Sequence, residues 1–328
     1  MSTMKPLLSS TKPVKKKQIR TVSNTKSGQK NTSSTNNTTL PHIGLINKGN
    51  TCYVNSIIQA LFTIPTLWQQ SPSETSNISP LVRSFLSIMN QLSSSRSPID
   101  LSQFLRNLQN KINLVTRDFV LHQQQDVTEV LQILLPEIVG TSLFARDMIS
   151  VTVKTTTCCS DCFFSADKEE KEDIIPLDCC GTMEQSISSF FTTKLLEGTN
   201  KWDCPVCGTK TDSTRDSVFT NLGDILFLQM KRFKFSSGQA VKDTTQLDLS
   251  PFTVKIPVST EFGVSFHRQF NLVATINHSG NLNSGHYWSN ILHPVSKQWL
   301  NCNDRHVKSI NSSVLNGNSS YVLIFKSI

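Results

Sequence analysis

The sequence predicts an α+β protein in which a helical layer faces a β-rich layer across a cleft. Apolar residues recur at helical spacing within residues 41–145, and strand patterns dominate from Asp224 onward. Between these regions, residues 150–222 hold two Cys-x-x-Cys pairs, acidic runs and short strand-like segments. At 328 residues the chain can fill one large core or two smaller ones.

The first 40 residues stand apart. They carry Lys5, Lys12, Lys15, Lys16, Lys17, Arg20, Lys26 and Lys30, no acidic residue and few large apolar ones. Such a composition predicts a disordered basic tail. Removing these eight from the 32 Lys and Arg leaves 24 basic residues against 24 acidic ones, so the net charge of +8 belongs to the tail. Nucleic acid is therefore not an expected partner except through the tail. Residues 13–20 read either as a nuclear-import or polyanion-binding patch or as a solvated linker. No apolar stretch follows these lysines as in a secretory leader, and no run approaches the roughly 18 apolar residues of a membrane span. The expectation is an intracellular protein of nucleus and/or cytoplasm with no membrane partner. Without secretion, the Asn-x-Ser/Thr matches at Asn31, Asn37, Asn77 and Asn311 carry no meaning.

Val54, Ile57, Ile58, Leu61 and Phe62 fall on one face of a predicted helix. Gly49, Asn50 and Thr51 are turn and capping types, which puts Cys52 at the first helical turn. Unpaired N–H groups and the helix dipole there favour a thiolate, making Cys52 a candidate nucleophile, with an inert small hydrophobe as the alternative reading. A second helix is predicted from about Asp126, with Val127, Val130, Leu131, Leu134 and Leu135 on one stripe, stopping at Pro136.

Strand patterns follow at 225–235, 272–276, 287–292, 297–301 and 321–326. His286 sits where a Gly/Asn/Ser loop enters one of them, and Asn303 and Asp304 lie about one strand later. A cysteine, a histidine and an amide or carboxylate, each at the end of an element, are the parts of a thiol hydrolase. The imidazole takes the thiol proton, while Asn303 or Asp304 fixes its tautomer.

Nine cysteines in such a chain predict reduced thiols or ligands rather than disulfides. Cys159-Ser-Asp-Cys162 and Cys204-Pro-Val-Cys207 have the spacing of two knuckles gripping one tetrahedral Zn²⁺. The gap between them exceeds that of a compact zinc ribbon, so separate hairpins must bring them together. Four reduced thiols are the alternative. Cys158 adjoins the first pair, whereas Cys179, Cys180 and Cys302 have no motif.

Taken together, these stretches resemble the ubiquitin-specific proteases, papain-like cysteine deubiquitinases. The run Gly44-Leu-Ile-Asn-Lys-Gly-Asn-Thr-Cys-Tyr-Val-Asn-Ser56 is similar to that family's first box. His278-Ser-Gly, Gly285-His286-Tyr287, Trp299, Asn303-Asp304 and the closing run from Ser320 to Phe325 resemble the second. Gln124-Gln125-Asp126-Val-Thr-Glu129-Val-Leu131 and Met230-Lys-Arg-Phe233 resemble two boxes between them. Thr128 and Val130 stand where the family usually shows His and Phe, and Asn290 where it shows Tyr.

The resemblance implies a catalytic domain over 41–328, with a helical thumb (about 41–145), zinc-knuckle fingers (about 150–222) and a β-rich palm (about 223–328). It implies cleavage of the isopeptide or peptide bond after the C-terminal glycine of ubiquitin. Cys52 would be the nucleophile and His286 the general base, then acid. Asn303 would be the orienter with Asp304 in support, and Asn47 an oxyanion donor beside the Cys52 N–H. Gln125, Asp126, Glu129, Gly285 and Tyr287 would meet the ubiquitin tail, and 279–285 would form a blocking loop. Zn²⁺ would be structural, with no catalytic cofactor. Ubiquitin, ubiquitinated proteins and a regulatory protein would be the partners. A protease for another ubiquitin-like modifier, an inactive ubiquitin-binding scaffold and a zinc-ribbon module on nucleic acid are the competing readings.

Overall fold

The computed structural model describes residues 42–69, 78–116, 119–140, 146–236, 239–260, 263, 265–281 and 284–328. The basic tail and its 13–20 patch lie outside the described residues. Helix α1 (Cys52–Leu61) is buried at every position. The expected polar face is thus not solvated, because each polar side chain on it has a task. Asn55 donates to Asp304 Oδ1 at 2.7 Å, Ser56 to the Tyr53 carbonyl at 2.8 Å and Gln59 to the Ile43 carbonyl at 2.9 Å. Three more helices, α2 (Pro80–Ser94), α3 (Ser102–Ile112) and α4 (Val127–Val139), complete the helical layer.

Pro136 does not end α4, contrary to the sequence reading. The helix forgoes the amide that proline lacks and runs three residues further, because Ile138 and Val139 are buried with Leu134 and Leu135. Packing outweighs the lost hydrogen bond.

The middle of the chain supplies β1 (Val151–Cys159), β2 (Ser165–Glu172), β3 (Ile174–Leu177), α5 (Met183–Phe190), β4 (Lys194–Leu196), β5 (Trp202–Cys204), β6 (Thr209–Thr211) and β7 (Ser213–Leu222). A four-stranded sheet runs in the order β2-β1-β7-β4, and β5–β6 is a separate hairpin. The last third supplies β8 (Ile225–Met230), β9 (Phe233–Ser236), β10 (Gln239–Lys242), β11 (Thr253–Ser259) and β12 (Ser265–Gly280). It ends with β13 (Gly285–Leu292), β14 (Trp299–Asn303), β15 (His306–Ser309) and β16 (Ser320–Ser327). An eight-stranded sheet has the order β15-β14-β13-β12-β16-β8-β3, with β11 also on β12. Only the β3–β8 pairing in it is parallel.

This sheet is covered on both faces, which explains its uninterrupted apolar strands. Ile225, Phe227, Val322 and Ile324 join the core beneath the helices. Their neighbours Leu226, Leu228, Leu323 and Phe325 join a second core with Met183 and Ile187 of α5. The single strand expected over 225–235 is cut in two by Arg232, which is 1% exposed. Its guanidinium donates to the carbonyls of Ser320 at 2.9 Å, Thr245 at 2.6 Å and Asp243 at 3.3 Å. A buried cation needs such partners, and an unbroken strand does not deliver them.

The segment before α1 meets the end of the chain closely. Leu45 N–H donates to the Asp304 carbonyl at 2.8 Å, and Ile99 N–H to the Gly44 carbonyl at 3.0 Å. A Cβ on Gly44 would lie 2.3 Å from the Arg305 carbonyl oxygen. Backbone faces backbone there, so neither side can yield cheaply. Gly44→Ala is expected to destabilise the protein by about 2 kcal/mol or more in urea unfolding, and an unchanged midpoint would refute this close-approach argument.

Candidate active site

Cys52 opens α1 but is not capped as its position suggests. Thr51 makes no side-chain capping bond to the helix. Its hydroxyl instead accepts from Lys48 N–H at 3.0 Å, tightening the turn before the helix. The thiol is 2% exposed. Burial pushes its pKa up, the Tyr287 N–H aimed at the sulfur opposes this, and the Asp304 carboxylate adds to the rise. Desolvation therefore outweighs the helix dipole at this site, and the resting group is a neutral thiol rather than the thiolate expected from its place at the helix start.

His286 is the second residue of β13, the strand against which α1 packs. Its Nε2 lies 2.7 Å from Asn303 Oδ1 on neighbouring β14. Since an amide oxygen only accepts, His286 carries its proton on Nε2 and presents a basic Nδ1. Trp288, two residues along the strand, stacks with its ring centroid 6.4 Å from that of His286. The sulfur faces the Tyr287 N–H, so the thiol and the imidazole share one stretch of β13. Among the described residues no hydrogen bond joins Cys52 Sγ to His286.

Among the described residues, Asp304 makes no hydrogen bond or ion pair with His286. Its Oδ2 accepts from Asn47 Nδ2 at 2.9 Å and its Oδ1 from Asn55 Nδ2 at 2.7 Å. Asn47 Oδ1 in turn accepts from the N–H groups of Gly49 at 2.9 Å and Thr51 at 3.2 Å. One carboxylate thus holds the loop before Cys52, while the Asn47 amide keeps one further N–H. Sequence reasoning missed Asn55. The signals were its place in the box from Gly44 to Ser56 and its polarity on a largely apolar helix.

The helix box separates into two groups. Asp126 caps α4, its Oδ1 accepting from Thr128 N–H and Thr128 Oγ1, both at 2.7 Å. Its Oδ2 accepts from the Tyr321 hydroxyl, which burial keeps protonated. Gln229 donates to the same hydroxyl at 3.2 Å, closing a link from α4 to β8 and β16. Glu129 is at the surface, its pKa raised by partial burial and then by the Asp126 charge. Gln125 turns away, donating to the Val120 carbonyl at 3.0 Å. Its neighbour Gln124, not singled out from sequence, donates to the Gly285 carbonyl at 2.9 Å, one residue before His286. Tyr287 is buried between α1 and the sheet. Gly285 has no room for a Cβ, which would lie 2.1 Å from His278 Nε2. Of the loop 279–285, residues 282 and 283 lie outside the described residues.

Away from this centre, β1 and the β5–β6 hairpin bring four cysteines together. Cys159 Sγ is 3.9 Å from Cys207 Sγ, and Cys162 Sγ is 3.6 Å from Cys204 Sγ. All four sulfurs lie within 4.8 Å of one another. Four sulfurs at Zn–S distances of about 2.3 Å stand about 3.8 Å apart on a tetrahedron, so this donor set fits one metal ion. The Thr211 hydroxyl and the N–H groups of Cys162 and Asp161 bring the Cys159 thiol down to about 6. Both knuckles turn through a left-handed residue after their second cysteine, Gly208 at φ 67° and Phe163 at φ 59°. Cys158, which the strand alternation points to the other face of β1, is not among the four.

Among the described residues no helix is long and apolar enough to cross a membrane. A family model described as "Ubiquitin carboxyl-terminal hydrolase" matches residues 43–325. A Schizosaccharomyces pombe protein named "Probable ubiquitin carboxyl-terminal hydrolase 4" is 25% identical, covering 87% of this chain and 58% of its own length. "Ubiquitin carboxyl-terminal hydrolase 26" of Oryza sativa subsp. japonica is 26% identical over 81% of this chain and 26% of its own length. The chain thus spans well under two thirds of these relatives. In fold it is similar to a chain in the "Structure of the SAGA Ubp8/Sgf11/Sus1/Sgf73 DUB module bound to ubiquitin aldehyde", with TM-score 0.70 and 20% identity over 87% of this chain and 69% of that one. The matched span takes in every element from the segment before Cys52 to β16, and the chain belongs to the ubiquitin carboxyl-terminal hydrolase family, that of the ubiquitin-specific proteases its boxes resemble.

Proposed function

We propose that this chain is a thiol hydrolase that cleaves the isopeptide or peptide bond after the C-terminal glycine of ubiquitin. The observation that carries the reading is the His286–Asn303 hydrogen bond beside the strand residue whose N–H meets the Cys52 sulfur. His286 Nδ1 takes the proton of a neutral thiol as Cys52 attacks the glycine carbonyl, then returns it to the departing lysine amine. Water attacks the thioester with the same imidazole as base. The Cys52 N–H and the second Asn47 N–H are the oxyanion donors, with Asp304 holding Asn47 in place. Asn303 is the orienter, and Asp304 acts through Asn47 rather than through the imidazole.

The same body supports a division into thumb (41–145), fingers (150–222) and palm (223–328), with one structural Zn²⁺ on Cys159, Cys162, Cys204 and Cys207. Glu129 beside Asp126 supplies negative charge for a cationic substrate tail, and Gly285 next to Tyr287 a passage narrow enough to require glycines. The absence of a thiol–imidazole hydrogen bond among the described residues favours a closing step on substrate or on a regulatory protein. Ubp8, similar in fold, is found in a module with Sgf11, Sus1 and Sgf73. Nine free cysteines suit a reducing compartment, so we place the protein in the nucleus and/or cytoplasm.

Three measurements check these assignments. A ubiquitin C-terminal propargyl electrophile is expected to label the wild type and not Cys52→Ala or His286→Ala. Asn303→Ala should retain labelling while losing about 10²-fold in kcat; labelling of Cys52→Ala would place the nucleophile elsewhere. Because the Asp304 charge raises the Cys52 pKa, Asp304→Asn should move the pH midpoint of iodoacetamide alkylation downward. An unmoved or higher midpoint would remove that electrostatic link, even as turnover falls through the loosened Asn47. Atomic emission should find one zinc per chain, lost with a lower melting temperature in Cys204→Ser. A metal-free wild type of equal stability would mean four reduced thiols.

A further inference from the structure

A second imidazole is built into the wall behind the catalytic strand. His278, on β12, is 4% exposed and pairs with Tyr287 across the ladder. Its ring lies 4.6 Å from the Tyr287 ring, 5.6 Å from Phe233 and 6.3 Å from Tyr321, centroid to centroid. His278 Nε2 fills the space over Gly285, the residue before His286. The far side of the ring is held by a cation. Lys242 Nζ, at the end of β10, lies 3.1 Å from His278 Nδ1 and donates to the His278 carbonyl at 2.9 Å.

This is an unusual use of an ammonium. Among the described residues no carboxylate pairs with Lys242, since the adjacent Asp243 pairs with Lys234 at 3.0 Å. Partial burial, and then the nearby Arg232 charge, work against the Lys242 cation. Phe233, whose ring centroid is 5.8 Å from Nζ, offers only its π face. An ammonium cannot accept a hydrogen bond, so its contact with Nδ1 requires that nitrogen to be unprotonated and leaves the proton on Nε2.

We propose that Lys242 is a positioning residue for the reaction, locking His278 as the neutral Nε2–H tautomer that props Gly285 and so aims His286. The Gly285–His286 peptide is then gripped from two sides, by the His278 ring and by Gln124 on the Gly285 carbonyl. A protonated His278 ring offers Lys242 no acceptor, leaving only the backbone carbonyl, and brings a second positive charge toward His286. The groups facing His278 are Lys242 from β10, His286 and Tyr287 from β13 and Tyr321 from β16. Burial, Lys242 and His286 together bring its pKa down to about 4. Removing Lys242 therefore raises the His278 pKa, and an acid-side loss of activity moves to higher pH with it.

The inference rests on the hydrolase reading for its kinetic consequence only. The test uses full-length Lys242→Met and Lys242→Arg. Long-range ¹H–¹⁵N imidazole spectra follow His278, and a fluorogenic ubiquitin C-terminal substrate follows kcat and KM against pH. In Lys242→Met the His278 titration is expected to rise by about one pH unit or more. Turnover kcat should fall about tenfold with KM within about twofold, and the acid limb of kcat should move upward. Lys242→Arg, which keeps the cation, should return most of both. The proposal is overturned if Lys242→Met leaves the His278 titration and the acid limb where the wild type has them, whether or not the melting temperature drops. If the wild type turns over no ubiquitin substrate, the hydrolase reading fails, and the His278 titration still decides the lock.

Discussion

One carboxylate near the end of the chain, accepting from two amides near its beginning, is the constraint on which the catalytic arrangement depends. Asp304 sits in a two-residue turn between β14 and β15, at φ 49°. Such a conformation costs a non-glycine residue energy, and here it is retained by hydrogen bonds from Asn47 and Asn55 and by the Leu45 N–H on its carbonyl. The turn has a geometric consequence. Asn303, one residue earlier, reaches His286, while Asp304 reaches the helix that carries Cys52. Two consecutive residues thereby fix His286 and the helix of Cys52 to the same corner of the sheet. The glycine at 44 belongs to this device, because a side chain there would push the two ends of the polypeptide apart.

The same carboxylate has an opposite electrostatic effect. It stabilises the loop before Cys52 but disfavours a negative sulfur beside it, and burial acts in the same direction. Cys52 is therefore held as a neutral thiol, and in the proposed mechanism His286 takes its proton at the moment of attack. A buried neutral thiol is a poor target for oxidants. It also explains why the imidazole must keep an unprotonated Nδ1, which the Asn303 oxygen ensures by holding the proton on Nε2.

Much of this was legible in the sequence, and for identifiable reasons. The helix bearing Cys52, the strand bearing His286 and the paired cysteines follow from local spacing, which needs no knowledge of distant neighbours. What the spacing could not show was environment. α1 reads as amphipathic yet is buried all round, because its polar residues face Asp304 and carbonyls supplied from elsewhere. The thiol was expected to be acidic from its place at a helix start, and burial reversed the sign. Pro136 reads as a stop and is carried through by packing on both sides of α4. Asn303 and Asp304, adjacent and chemically similar, could be ranked from sequence but not separated, since the turn between β14 and β15 points them at different partners. Gln124 and Gln125 posed the same difficulty at the start of α4.

Asp126 shows why a candidate substrate-binding carboxylate cannot be read in isolation. Both of its oxygens are already engaged, one in capping α4 and one with the Tyr321 hydroxyl. That second bond ties the helical layer to the central strands, with Gln229 and Thr128 completing the link. A cation arriving in the cleft would meet a carboxylate whose geometry is set by the fold, with no reorganisation needed to receive it. It would also meet Glu129, whose pKa is raised by partial burial and then by the Asp126 charge. On the proposed reading, attraction for a basic tail and attachment of α4 to the sheet rest on the same group, so the width of the cleft and its charge cannot be varied independently.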